Sequence, residues 1–351
     1  TTIVTSYELI NLFHLLKPVN AETGVKNPTV INASWGYQAA FSSNSTVNYK
    51  FRGATGSFTG NASVTNQVTA MKDGLNNQVV GAYRSWSSSS RSSSTDSAAT
   101  ETFFNVTGIH NVAAAGNNNQ RLGIGSSDVD RLNYMTDAYY GTTDPRSEFP
   151  SGTVPCNHRD WMLPQGAGFV ADVDSEFHPT ICVGAMDDTV NSDLSERKAS
   201  YSNNGPGIDV WAPADETLAA GTNGATGYTD YQRRDNPLFY DARFSGTSAA
   251  APVVAGLVAL YLEGNPTATQ RQVQDFIKSK GSVTVASSLY QDQHSDDSQT
   301  NYWTGSYNLR GAQRRILRDL SASNVKPAFK GGVSSGDNLK FRGTNLSIKH
   351  K

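Results

Sequence analysis

Two short segments of the chain carry groups suited to attacking a carbonyl carbon and holding the charge that results. In Phe244-Ser-Gly-Thr-Ser-Ala-Ala-Ala-Pro252, a turn on Ser245-Gly246 delivers a hydroxyl, Ser248, to the start of a helix. From Ala249 to Leu262 nearly every side chain is small or apolar, which predicts a helix buried on all sides. Pro252 is expected in its first turn, where a missing N–H costs nothing. Gly264-Asn265-Pro266 is expected to end it. A serine so placed has free N–H groups and the positive end of the helix dipole beside it, and both favour negative charge. Its own backbone N–H can hold the oxyanion of a tetrahedral intermediate. An ordinary N-cap serine fits the same pattern. The second segment, Asn111-Val-Ala-Ala-Ala-Gly116-Asn117, is a strand of small residues ending on an amide. A neutral amide donates to an oxyanion without competing for the proton. Gly-Asn also suits a plain turn.

Taken together, these segments resemble a known family. Gly246-Thr-Ser-Ala-Ala-Ala-Pro252 is similar to the serine motif of the subtilisin-like proteases (subtilases), G-T-S-x-[SA]-x-P. Asn111 to Asn117 resembles the family's oxyanion-hole segment, and Val30-Ile-Asn-Ala-Ser-Trp35-Gly36 its substrate-binding strand. Thr180 to Asp187, and Ala199 to Pro206 through Val210-Trp-Ala-Pro213, resemble the strand and loop that precede the serine. The five segments keep the family's order over roughly Thr1 to Val283. The resemblance implies an α/β fold, a mostly parallel sheet with helices on both faces and ligand at the strand ends. It implies a serine endopeptidase acting on polypeptides, with Ser248 as nucleophile and Asn117 with the Ser248 N–H as oxyanion hole. Ser34, Trp35 and Gly36 would lie along the substrate backbone. Ala114, Ala115 and Gly116 would line a pocket open to large apolar side chains.

One departure limits what the resemblance carries. The family's triad runs Asp, His, Ser, with the Asp in a D-[ST]-G turn and the His in H-G-T. Neither motif occurs, and none of the six histidines sits in the right place. Both segments would lie upstream of the Val30 strand, where too few residues precede it. The chain is therefore expected to begin after them, with Asp and His supplied by a missing N-terminal segment acting as a partner. On that reading the isolated chain is inactive. A competing reading is a catalytically inactive subtilase fold serving as a structural or binding protein in a large assembly such as a phage virion. A base drawn from His158 or His178 would require a rearranged triad.

Composition narrows the field. The net charge is −2, which gives no electrostatic case for nucleic acid. Charged residues make up 17%, against roughly 25% in an average soluble protein. Ser, Thr, Asn and Gly fill the difference, a surface expected of extracellular or virion-associated proteins. No apolar run of about 18 residues is read as a membrane span, and Thr1-Thr-Ile-Val-Thr-Ser does not read as a signal peptide. Cys182, in Ile181-Cys-Val-Gly-Ala, reads as a buried thiol, with a disulfide to Cys156 left open to geometry. No cofactor or metal is expected, although Asp128-Val-Asp130 and Asp172-Val-Asp174-Ser-Glu176 offer hard oxygens suited to calcium. Solvated acidic loops are the alternative.

The elements that must position Ser248 and Asn117 follow from periodicity. Tyr7 to Leu16 reads as an amphipathic helix with Ser6 as N-cap and Pro18 as terminator, and His14 within it as a packed or surface residue. Thr29 to Trp35 reads as a strand. Residues 1–283 are expected to form the C-terminal portion of a subtilase-like catalytic domain, with insertions at about 37–94 and 120–179 and an extension at 284–351. The first insertion should hold a small hairpin around Phe51 and Phe58, then the low-complexity run Ser85 to Ser94. Asp96 to Asn105 reads as a helix, as does Thr267 to Lys278 with Thr267 as its cap. Gln291 to Lys351 reads as an extended polar tail, solvated or docked on a neighbouring subunit. The sequons at Asn32 and Asn105 fall in elements expected to be buried, against glycosylation.

Overall fold

The computed structural model describes residues 6–34, 37–38, 46–59, 83–84, 108–117, 119–136, 150, 153–155, 159, 178–187, 198–215, 217–221, 229–232, 240–282, 309–313, 315–317, 340–342 and 345–347. Helix α1, Ser6–Leu16, leads into strand β1, Thr29–Ala33. Among the described residues five further strands join it in the central sheet: β2 Ile109–Ala114, β3 Ile181–Met186, β4 Val210–Pro213, β5 Gly281–Ser282 and β6 Ile316–Leu317. Their spatial order is β1-β2-β3-β4-β6-β5. The pairings from β1 through β6 are parallel, and only β5 runs antiparallel to its neighbour. Near-continuous apolar runs suit such strands because both faces are covered. Every residue of β3 is buried.

Two cores result. On one face Ile109, Ala113, Cys182, Trp211 and Ile316 pack with Leu122 and Leu309, and with Ile10 of α1. On the other, Val112, Ile181, Val183, Val210 and Leu317 pack against helix α2, Thr247–Gly264, and helix α3, Gln270–Lys280. Helices thus cover both faces, as the sequence implied. Trp211 is fully buried beside its register partner Gly184, where a Cβ would come within 2.4 Å of the indole ring. By length and composition α2 could cross a membrane, but Ala249, Ala250, Ala251, Val254 and Val258 are wholly buried inside this fold. Its apolar character serves the core.

Several sequence-based expectations are corrected. Pro252 is not in the first turn of α2, because the helix already begins at Thr247 and the proline falls inside it. The cap of α3 is Thr269, not Thr267: its side chain accepts from the Gln272 N–H, and Gln272 reaches back to the Thr269 N–H in a capping box. The extended tail is broken by residues 309–317, whose Leu309, Ala312, Ile316 and Leu317 are buried and supply β6. Asn32 is exposed, because β1 lies at the sheet edge.

The hairpin expected in the first insertion is Thr46–Phe51 with Ala54–Thr59, closed by Arg52 and Gly53 at φ 49° and 87°. It pairs with Tyr134–Thr136, which pairs in turn with Thr153–Pro155. Strands from the two stretches expected to be insertions therefore share one small sheet. Asp130 is buried between Arg52 and Arg121, and Asp128 accepts from both terminal guanidinium nitrogens of Arg121. The helix at Asp96 to Asn105, the run Ser85 to Ser94, Asp172 to Glu176, Cys156 and His158 lie outside the described residues.

Candidate active site

Parallel strands present their C-terminal ends along one edge of the sheet, so the chain leaving β1 at Ser34 emerges beside the chain leaving β2 at Ala115 to Asn117. The first turn of α2 is docked at this edge. Gly116 N–H donates to Thr247 Oγ1 at 3.0 Å, and the Thr247 N–H and hydroxyl both donate to Asn117 Oδ1 at 2.8 Å. Gly246, the residue before the helix, has φ 109°, and a Cβ there would lie 3.2 Å from Asn117 Nδ2. Gly246 is the N-cap residue but has no side chain to accept a helix N–H, so Asn117 does so from a loop distant in sequence. A backbone N–H needs an oxygen acceptor, and this fixes the amide's orientation. Asn117 Nδ2 points away from Thr247 and has no hydrogen-bond partner among the described residues.

Ser248 follows, half-buried. Its hydroxyl donates to the Ser34 carbonyl at 2.9 Å, and the Ser34 hydroxyl donates to the Ser248 carbonyl at 3.1 Å. Pro252 explains the second bond. Four residues beyond Ser248 it lacks the N–H that would close the helical bond to that carbonyl, and Ser34 fills the vacancy. The Ala249 N–H folds back to the Gly246 carbonyl at 2.8 Å. With Thr247 N–H capped by Asn117, the Ser248 N–H has no partner among the described residues. A hydroxyl, a backbone N–H and an amide NH2 are thus gathered at the positive end of α2.

The structure brings Ser34, Asn117 and Ser248 together. Ala115 is buried, with its N–H on the Val183 carbonyl and its carbonyl receiving Asn203 Nδ2 at 2.7 Å. Gly116, at φ 101°, lies so near Asn203 that a Cβ would come within 2.6 Å of Nδ2. Ala114 is half-buried at the end of β2. Trp35 and Gly36 lie outside the described residues. Sequence reasoning missed Thr247, Asn203 and Tyr201, which hold the two loops in place. For Thr247 the signal was its presence between Gly246 and Ser248; for the others no local pattern marks them.

The described histidines sit elsewhere. His14 Nδ1 is 2.8 Å from Thr29 Oγ1, at the start of β1. His110 is buried early in β2, its imidazole pushed down to about 4 by burial and then by neighbouring His14. His178 is buried just before β3, with Nδ1 accepting the Thr180 N–H at 3.2 Å. At about 3.3 Å per residue, the six residues of β3 separate His178 from the opposite sheet edge by about 20 Å. Also at that far end, Asp209 is buried against Arg159, Lys278 and the Cys182 N–H. Burial opposes its ionisation, but the two cations and the N–H hold the carboxyl down to about 2. Cys182 is a free buried thiol, pushed up to about 12 by burial. No cluster of three or more His, Cys, Asp or Glu suited to a metal ion occurs among the described residues.

A parallel α/β sheet with a serine at the start of its central helix, faced by an amide from the neighbouring strand end, defines the class of protein. The chain belongs to the subtilase family, whose model (Peptidase S8) matches residues 17–301. Among curated proteins it is similar to subtilisin amylosacchariticus of Bacillus subtilis subsp. amylosacchariticus, 34% identical over 128 residues, or 36% of this chain and 27% of that one. It is likewise similar to subtilisin of Bacillus pumilus, 35% identical over 119 residues, covering 33% of this chain and 34% of that one. An extracellular protease of Xanthomonas campestris pv. campestris is 43% identical over 84 residues, 23% of this chain and 13% of that one. The chain spans about a quarter to a third of the length of the subtilisins it matches. A solved structure of a cold-adapted subtilisin-like serine proteinase aligns at TM-score 0.33 and 17% identity, covering 84% of this chain and 56% of that one.

Proposed function

We propose that this chain carries the nucleophile and oxyanion side of a subtilisin-like serine endopeptidase, and that the triad Asp and His come from a segment outside it. The observation that carries the reading is the docking of Asn117 on Thr247, the residue before Ser248, with its NH2 and the Ser248 N–H both without a hydrogen-bond partner among the described residues. Ser248 attacks the peptide carbonyl, and the two donors take the negative oxygen that forms. Ser34, Trp35 and Gly36 guide the substrate backbone, with Ala114, Ala115 and Gly116 beneath the side chain before the scissile bond. Support for an added segment comes from Phe13 and Leu16 of α1, large apolar side chains that stand exposed. Similarity to an extracellular protease and to subtilisins supports polypeptide substrates and action outside the cell.

The test is covalent labelling of Ser248 by a fluorophosphonate. The hydroxyl now donates to the Ser34 carbonyl, and a serine without an imidazole base is a weak nucleophile. Residues 1–351 alone should not label at ordinary exposure times. Addition of a segment bearing D-[ST]-G and H-G-T motifs should restore labelling, and Ser248→Ala should abolish it. Failure to label with that segment present would favour the inactive structural or binding reading, such as a virion protein. Rapid labelling of the isolated chain would assign the base to one of its own histidines.

A further inference from the structure

The segment between β3 and β4 holds both loops of the site, and one residue in it touches both. The Tyr201 carbonyl accepts the Asn119 N–H at 2.7 Å, two residues beyond Asn117. The Tyr201 hydroxyl accepts the Gly246 N–H at 2.9 Å, two residues before Ser248, and donates its own proton to Asp215 Oδ1. Gly246 is buried, so its N–H would be costly to leave unpaired. We propose that Tyr201, oriented by Asp215, is a positioning residue that sets the spacing of Ser248 against Asn117 for the reaction. The proposal rests on the reading of Ser248 as nucleophile.

The two bonds to the hydroxyl depend on each other. A phenol has one proton and must present a lone pair to Gly246, so the proton has to be directed elsewhere. Asp215 takes it. Burial, and after it Asp215, push the phenol well above its ordinary range, so the proton stays on the oxygen and the arrangement has one sense. Around this contact the backbone is tightly specified. Gly246 sits at φ 109° with Asn117 Nδ2 against it, so a rotation at this residue moves the Ser248 hydroxyl and the amide relative to each other. Asn203 ties the same segment to β2 through the Ala115 and Gly116 carbonyls, so Tyr201 is braced from behind. A shift of the turn would misplace the reacting atoms without removing any of them.

The experiment uses the protein together with the segment that supplies Asp and His. It compares wild type, Tyr201→Phe, Asp215→Ala and Asp215→Asn by fluorophosphonate labelling rate, by kcat and KM on a peptide, and by hydrogen exchange over residues 244–248. Loss of one hydrogen bond to a buried N–H should slow labelling about tenfold in Tyr201→Phe. The change should fall in kcat, with KM within about twofold, since no substrate contact is removed. Asp215→Ala should match it, whereas Asp215→Asn, which keeps an acceptor for the phenol, should restore most of the rate. Exchange over 244–248 should quicken in Tyr201→Phe and Asp215→Ala. Wild-type labelling and exchange in Tyr201→Phe would overturn the proposal, as would equal losses in Asp215→Ala and Asp215→Asn. Absence of labelling in wild type, with faster exchange in Tyr201→Phe, would overturn the nucleophile reading and leave the bracing of the turn in place.

Discussion

Asn117 uses the two ends of one amide for different purposes. Its oxygen caps α2 through Thr247, and its nitrogen has no hydrogen-bond partner among the described residues. Substitution can separate the two. Asn117→Ala should lose the cap, at about 1 kcal/mol of stability. It should also lose the donor, at about 10²–10³ in kcat, a scale that itself derives from a subtilisin. Asn117→Asp keeps an acceptor for Thr247 and favours the positive helix end, so its urea midpoint should stay near wild type. Its rate on a peptide substrate should fall at least as far as the alanine variant's, because a carboxylate repels the oxyanion. A fast Asn117→Asp variant would remove Asn117 from the oxyanion hole.

The start of α2 carries a second dependence between residues far apart in sequence. Because Pro252 cannot donate, the Ser248 carbonyl relies on the Ser34 hydroxyl. Ser34→Ala should cost about 1–2 kcal/mol by leaving that carbonyl unpaired. In a Pro252→Ala background, residue 252 regains an N–H four residues along, so the same change should cost less. A double-mutant cycle by urea denaturation measures the coupling, and additivity would refute it. At this scale the sequence was readable where a run was long and its period clear. Helix α1, the apolar α2, strands β1 and β2 and the hairpin after residue 45 are all present, although β1 and β2 end at Ala33 and Ala114, earlier than expected, and α2 begins at Thr247. It was less readable where partners are distant. Ile316-Leu317 is two apolar residues among arginines, and becomes a core strand only because Trp211 N–H and Nε1–H find the Arg315 and Gln313 carbonyls. Asp130 reads from sequence as part of an acidic loop, and no local pattern marks its pairing with Arg52, far away in sequence. The α3 cap moved from Thr267 to Thr269 because Gln272 completes a box only with the latter.

For the whole molecule, buried ionisable groups away from the site set the response to acid. His110 titrates at about 4 in the fold against 6.5 ordinarily, so the unfolded chain binds a proton in that window that the folded chain refuses. Its contribution is complete above 6.5 and is lost as pH falls toward 4, roughly 3 kcal/mol at most. Asp209, at about 2 against 3.8, adds a second loss between those values. The guanidinium midpoint should drop between pH 7 and pH 4.5, and His110→Leu should flatten that drop. An equal drop in both proteins would place the acid sensitivity elsewhere. The position of β6 has a consequence of another kind. Chains are made from the N-terminus, yet Ile316-Leu317 fills the gap between β4 and β5, which precede it in synthesis. A chain emerging from the ribosome therefore carries both walls of an empty slot, with the Trp211 indole awaiting its acceptor. That interval exposes two unpaired strand flanks to other chains. Vectorial synthesis thus leaves this protein most open to misassembly just before its last core strand arrives.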